Sequence, residues 1–242
     1  MLLFGVFFLV LALEGIICLA MAAPIAMLLA SLGATLGYSL ALEFPDMKRT
    51  LGAFAPIFFL PFLIGAEGQS ERPIPEFDVS REVIINAPPA EVWKYVLAFP
   101  KLPRPDSLWL KTGIAYPLSA RISGEGVGAI RYCQFSTGAF VEPITAWEPP
   151  YRLAFDVAEQ PLPMHEWSLY DDVHPPHLDG IMSSKRGQFV LEELPGGRTR
   201  QTGTTWYQNK MWPSPYWGAW SDVMIHSIHG EVLRHIKRQA EG

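Results

Sequence analysis

Cysteine is nearly absent from this chain: there are two in 242 residues, Cys18 inside an apolar stretch and Cys133 in the remainder. Thiols so placed exclude a disulfide scaffold. Charge is also scarce, at 18% of residues, where about a quarter is usual in soluble domains. The shortage is local, because Glu14 is the only charged residue among the first 42 and nearly all the others lie beyond residue 66. An excess of positive charge is missing too. From residue 73 onward 16 Lys and Arg face 19 Asp and Glu, so no basic field attracts phosphates and a nucleic-acid binder is excluded. Hydrophobic residues are plentiful, at 49%, which excludes a disordered chain. A membrane segment joined to a globular domain accounts for all of this.

Leu2 to Ala20 is a near-continuous apolar run, and a second extends from Ile25 to Leu42 after Ala22-Ala23-Pro24. Each approaches the roughly 20 residues that a helix needs to cross the hydrocarbon core. Ala20-Met21-Ala22 mimics a signal-peptide cleavage site, but no basic region precedes it and another apolar run follows at once. Gly33 and Gly37 have the small-xxx-small spacing that lets two helix backbones approach in lipid, so homo-oligomers through these helices are an expected partnership. A third stretch, Leu51 to Gly65, is broken by Pro56 and Pro61 and reads as a kinked span or an interfacial segment. Residues 1–65 are thus expected to hold two or three transmembrane helices of a multi-pass membrane protein. The count decides the side: three spans put the domain outside, two leave it in the cytoplasm. Residues 66–76, with Pro73 and Pro75, read as a linker.

From Phe77 the pattern changes to period two, which predicts a strand to Ile85. Pro88-Pro89 opens a short helix whose apolar face is Val92, Trp93 and Val96. Strand-like runs follow at 118–123, 127–136, 139–147, 152–157, 188–193 and 198–207, separated by turn residues such as Gly124-Glu125-Gly126 and Pro195-Gly196-Gly197. Consecutive strands on short turns make an antiparallel meander. Ser214 to Glu241 is the longest helix expected in the domain. At 100° per residue, Trp217, Trp220, Met224, Ile228, Val232 and His235 form its apolar stripe, with Asp222, His226 and His229 on the far side.

One strand, a short helix, a meander and a long closing helix resemble the START-like, or polyketide cyclase/dehydrase and lipid-transport, superfamily (SRPBCC, Bet v 1-like). The residues that carry the likeness are V-I-I-N-A-P-P-A-E-V-W at 83–93, G-E-G-V-G-A-I-R at 124–131, A-W-E-P-P-Y-R-L-A-F at 146–155 and G-G-R-T-R-Q-T-G-T-T-W-Y at 196–207. These are turns and strand ends, so they speak for fold more than for activity. The resemblance implies an α+β helix-grip fold over residues 77–242, an antiparallel sheet wrapped on the C-terminal helix with a deep apolar cavity between them. Members range from passive lipid or hormone binders to aromatase/cyclases and ring-hydroxylating oxygenase subunits. This chain departs from that pattern by its membrane segment and by an insert, 158–187.

The insert gathers His165, Glu166, Asp171, Asp172, His174, His177 and Asp179. His174 and His177 could donate imidazole nitrogen to zinc or iron. No recognisable ligand spacing on a helix supports this, and a solvated loop stiffened by prolines is the simpler reading, so no cofactor is expected. Acid-base candidates are Glu142, Glu166, Asp172 and Arg186, without an evident nucleophile-base pair. Strand alternation puts Arg131, Cys133 and Phe135 on one face and Tyr132, Gln134 and Ser136 on the other, leaving open which faces a cavity. The expectation is membrane-anchored binding of an apolar, lipid- or polyketide-like molecule by Trp217, Trp220, Met224, Ile228, Phe140, Glu142 and Trp206, with the insert as a lid. A cyclase, hydrolase or metal enzyme and a non-catalytic interaction module are the alternatives, and whether the chain is an enzyme stays open.

Overall fold

The computed structural model describes residues 15–43, 73–105, 109–166 and 178–242, which fall into two compact units. Ile16–Glu43 forms one helix, α1, that runs through Pro24 without a break. The interruption expected at residues 22–24 is therefore absent: Pro24 costs the helix one hydrogen bond but does not end it. Ile16–Ser39 is long and apolar enough to cross a membrane. Its serine hydroxyls are satisfied within the helix, since Ser31 Oγ donates to Met27 O (2.8 Å) and Ser39 Oγ to Thr35 O (2.9 Å), which lowers their cost in lipid. Most of the first apolar run, including Glu14, and all of Leu51 to Gly65 lie outside the described residues, and with them the number of spans.

The second unit holds a seven-stranded antiparallel sheet: β1 (Glu76–Ile85), β2 (Pro117–Ser123), β3 (Ile130–Phe135), β4 (Gly138–Glu148), β5 (Arg152–Asp156), β6 (Met182–Leu194) and β7 (Arg198–Asn209). Their order is β1-β7-β6-β5-β4-β3-β2. The meander of β2 to β7 thus returns to β1, whose ten residues pair with β7 from Glu76↔Gln208 to Ile85↔Thr199. Between β1 and β2 lies α2 (Pro89–Leu97), opened by Pro89 in its first turn and burying Val92, Trp93 and Val96. α3 (Ser214–Ala240) closes the chain along the inner face of the sheet and touches β1, β7 and α2. This is the helix-grip arrangement of the α+β class.

Two boundaries move for local reasons. β3 begins at Ile130 rather than Val127, because Gly126 and Gly128 take φ of 80° and 91°, a left-handed turn that only glycine adopts freely. β6 begins at Met182 rather than Gln188, so the last six residues of the expected insert are sheet. Ser183, Ser184, Lys185 and Arg186 carry no alternating apolar signal. They are held by pairing with β7, with a bulge between Ser184 and Arg186.

The main core joins Val92, Trp93 and Val96 of α2 to Leu153, Phe155, Phe189 and Leu191 of the sheet and to Val232, Leu233 and Ile236 of α3. Trp93 meets Trp147 edge to face, at 5.9 Å between ring centroids. Gly187 makes room for one wall, because a Cβ there would lie 2.6 Å from Phe155 Cζ. Gly187→Ala is expected to displace the Phe155 ring and destabilise the domain by about 1–3 kcal/mol, read as a lowered urea midpoint in detergent; an unchanged midpoint would mean that the ring is free to move.

Candidate functional site

Side chains do not fill the space between the sheet and α3. A cavity of about 130 Å³ remains, lined by Arg131, Cys133 and Phe135 of β3, Phe140 and Glu142 of β4, Phe155 and Phe189, and by Met224, Ile225, Ile228, His229, Val232 and Leu233 of α3. The Arg131, Cys133 and Phe135 face of β3, left open by the alternation, is therefore the inner one. Most of the wall is hydrocarbon.

The polar exception is a buried ion pair. Arg131 and Glu142 are directly opposed across β3 and β4, and Arg131 Nη1 donates to Glu142 Oε2. They are 2% and 6% exposed. The guanidinium also lies near the rings of Phe189, Phe155 and Phe99, with Cζ 5.5, 5.7 and 5.8 Å from their centroids. Its Nε has no hydrogen-bond partner among the described residues. Burial pushes the Glu142 carboxyl above its ordinary range, against the pull of Arg131. Burial also opposes the Arg131 charge, but Glu142 offsets it and the guanidinium stays protonated. Cys133, beside them, is pushed up to about 12 by the same burial, which leaves an inert thiol.

Across the cavity, His229 Nε2 shares a hydrogen bond with Thr205 Oγ1 (2.9 Å), its direction set by the tautomer. Burial first, then the charges of His226 and Arg81, lower its pKa to about 4, so its imidazole is neutral at pH 7. This corrects the helical-wheel expectation that His229 faces away from the sheet. Asp222 is likewise turned inward, its Oδ1 accepting from the buried Tyr207 hydroxyl (2.6 Å). The buried face of α3 is centred on Ile225, Val232 and Ile236, rotated by about 60° from the wheel's line at 100° per residue. The two indoles had drawn that line toward themselves.

Of the residues expected at the site, Phe140, Glu142, Met224 and Ile228 line the cavity, whereas Trp217, Trp220 and Trp206 do not. Trp217 Nε1 instead donates to Trp212 O (3.2 Å), and Trp206 carries the Arg186 guanidinium over its ring at 4.8 Å. Alternation explains Trp206: Thr205 and Tyr207 of β7 face inward, so their neighbour faces out. His174, His177 and Asp172 lie outside the described residues. Among the described residues no group of three His, Cys, Asp or Glu could hold a metal.

Residues 157–164 form a strap over one side of the cavity, to which Gln160, Pro161, Leu162 and Pro163 contribute wall. The strap is fastened by hydrogen bonds: Val141 N to Glu159 O (2.9 Å), Ala115 N to Pro163 O (2.9 Å) and Thr137 Oγ1 to Leu162 O (2.8 Å). Gln160 clasps β6 with both ends of its amide, donating to Met182 O (2.6 Å) and accepting from Ser184 N (2.7 Å). Those contacts join residues far apart in the chain and leave no local pattern. Arg131 was also missed as a site residue; its only sequence signal is an arginine at the inward phase of an otherwise apolar strand.

A protein-family model described as "Polyketide cyclase / dehydrase and lipid transport" matches residues 76–208. No curated protein matches the chain. Among solved structures, the ZhuI aromatase/cyclase from a Streptomyces species is similar at 14% identity and a TM-score of 0.42, over 69% of this chain and 94% of that one. A Chromobacterium violaceum protein matches at 14% identity and a TM-score of 0.42, over 68% and 97%. A norcoclaurine synthase point mutant from Thalictrum flavum, in complex with a transition-state analogue, matches at 10% identity and a TM-score of 0.40, over 69% and 98%.

The His229 environment gives a pH prediction. Between its folded pKa of about 4 and an unfolded value of about 6.5, only the unfolded chain binds the proton. Stability is therefore complete above pH 6.5 and falls as pH drops toward 4. From pH 7 to pH 5 the wild type should lose about 2 kcal/mol through this group, and His229→Gln should lose correspondingly less. Urea unfolding followed by tryptophan fluorescence reads the difference, and equal losses would contradict the assigned burial.

Proposed function

Because the chain belongs to the polyketide cyclase/dehydrase and lipid-transport family, we propose that it is a membrane-anchored binder of an apolar small molecule, held in the cavity under α3. The observation that carries this reading is the apolar cavity itself, with one buried ion pair in its wall. Apolar pockets with a few convergent polar groups are the usual form of small-molecule sites. Each Å² of apolar ligand surface removed from water contributes about 25 cal/mol, so affinity needs no catalytic group. Met224, Ile228 and Phe140 supply contact, Glu142 and Arg131 a polar end, and the strap closes the side between β4 and β6.

α1 supplies the anchor in this reading. A tethered pocket meets a membrane-soluble ligand at high local concentration and spares it a passage through bulk water. The oligomeric role of Gly33 and Gly37 and the side of the membrane belong to the same proposal and are decided by residues outside α3 and the sheet.

An enzyme is the second reading, and one observation favours it: Glu142 is a carboxyl whose pKa is raised inside an apolar cavity, the setting of a general acid or base. Cys133 is too strongly protonated to serve as its nucleophile. Glu142→Gln separates the two readings where the variant still binds toluene, because it removes acid-base chemistry and keeps the side chain's shape while leaving the Arg131 charge without its counter-ion.

Two measurements test the binder. Ile228→Trp should fill the cavity and weaken binding of toluene at least tenfold, as read by ligand-observed NMR, while Val223→Trp on the exposed face of α3 leaves binding unchanged. Equal loss or no loss in both variants would sink the cavity as the site. For the anchor, the full chain should remain in the membrane pellet after alkaline carbonate extraction, and its release would contradict insertion.

A further inference from the structure

We infer that the molecule this cavity takes is a neutral single-ring compound bearing a hydroxyl group, of the phenol class, rather than a fused polycycle, a long acyl chain or a carboxylate. The inference rests on the binding function proposed above and narrows it by size, charge and hydrogen bonding.

Size comes first. At about 130 Å³ the space is comparable to an apolar cavity of about 150 Å³ that holds one benzene ring. Expansion is opposed at the strap and along the sheet. The strap is fastened to β4 and β6 through backbone and Gln160 hydrogen bonds, and Phe155 and Phe189 lie back against glycines with no further room. A Cβ at Gly203 would already come within 3.3 Å of Phe189 Cε1.

Charge comes second. The lining holds no uncompensated charge among the described residues. Arg131 faces Glu142, His229 is neutral at pH 7, and the Arg186 guanidinium is turned to Glu76 (2.6 Å) and the Trp206 ring. An anionic ligand would bring a net charge into an apolar space, where it is costly. A neutral one leaves the wall balanced.

Hydrogen bonding comes third. Arg131 has five N–H donors, and its Nε is unpartnered and buried. Glu142 beside it can only accept while ionised. A hydroxyl is the smallest group that both accepts from a guanidinium and donates to a carboxylate. A ring of the right size with no polar atom would leave Arg131 Nε without a partner, which is unfavourable in a buried site.

The test is a panel of binding constants for the full chain in detergent at pH 7, using phenol, toluene, benzoate and the three-ring 2-anthrol, read by ligand-observed NMR. Phenol should bind at least tenfold more tightly than toluene, although toluene is the more hydrophobic of the two, and at least tenfold more tightly than benzoate; 2-anthrol should not bind. In the double variant Arg131→Met/Glu142→Leu, which removes both charges together, the order of phenol and toluene should reverse. Toluene binding as tightly as phenol, benzoate binding best, or 2-anthrol binding in the wild type would each overturn the phenol class while leaving the cavity as a binding site. Failure of both phenol and toluene to bind would overturn the binding function as well.

Discussion

A guanidinium and a carboxylate held together out of water between β3 and β4 set the terms for the rest of this domain. Desolvating two charges is expensive, and an apolar pair of similar volume is often as stable or more so. The arrangement around Arg131 and Glu142 offsets that cost piece by piece: a direct hydrogen bond, opposed positions on adjacent strands, and three phenyl rings near the cation. Removing one partner would leave the other charge buried and alone, a loss of about 3–5 kcal/mol. Because an apolar pair would often serve folding as well, a charged pair in the wall of an apolar cavity fits recognition better than folding.

The cavity follows from how the sheet meets α3. Seven antiparallel strands run from β1 to β2, and the closing helix lies along their inner face with β1 and β7 at its side. Gly187 and Gly203 let Phe155 and Phe189 recline against the strands, which keeps the rings out of the central space. Toward the other edge, the strap from Val157 to Met164 takes the place that a further layer of side chains would occupy. The result is a small, mostly apolar hollow.

Much of this architecture was legible in the residues. Period-two alternation located β1, and the glycine and proline turns located most of the meander, because each is a local signal that tertiary context does not override. β6 was seen only from Gln188, since Ser183 to Arg186 owe their strand to the ladder with β7. The site was half legible. Phe140, Glu142, Met224 and Ile228 were picked out and line the hollow. Trp217 and Trp220 were picked out by their place on an apolar stripe measured from Trp217, but such a stripe does not say which way a helix is rolled, and Gly218, Ser221 and Ile225 are among the buried positions of α3. His229 and Asp222 turned inward for the same reason. Arg131 and Gln160 act through partners 11 to 24 residues away, and no spacing rule anticipates such contacts. Length and composition marked an apolar N-terminus, of which α1 is the described part.

The most direct test is to see where a bound ring sits. Full-length protein carrying ¹³C-labelled Met and Ile methyl groups, mixed with phenol, should show intermolecular nuclear Overhauser contacts from the ring protons to Met224 Cε and Ile228 Cδ1. Contacts confined to exposed methyls such as those of Met27 and Ile84, or none at all under saturating ligand, would contradict a binding cavity under the closing helix.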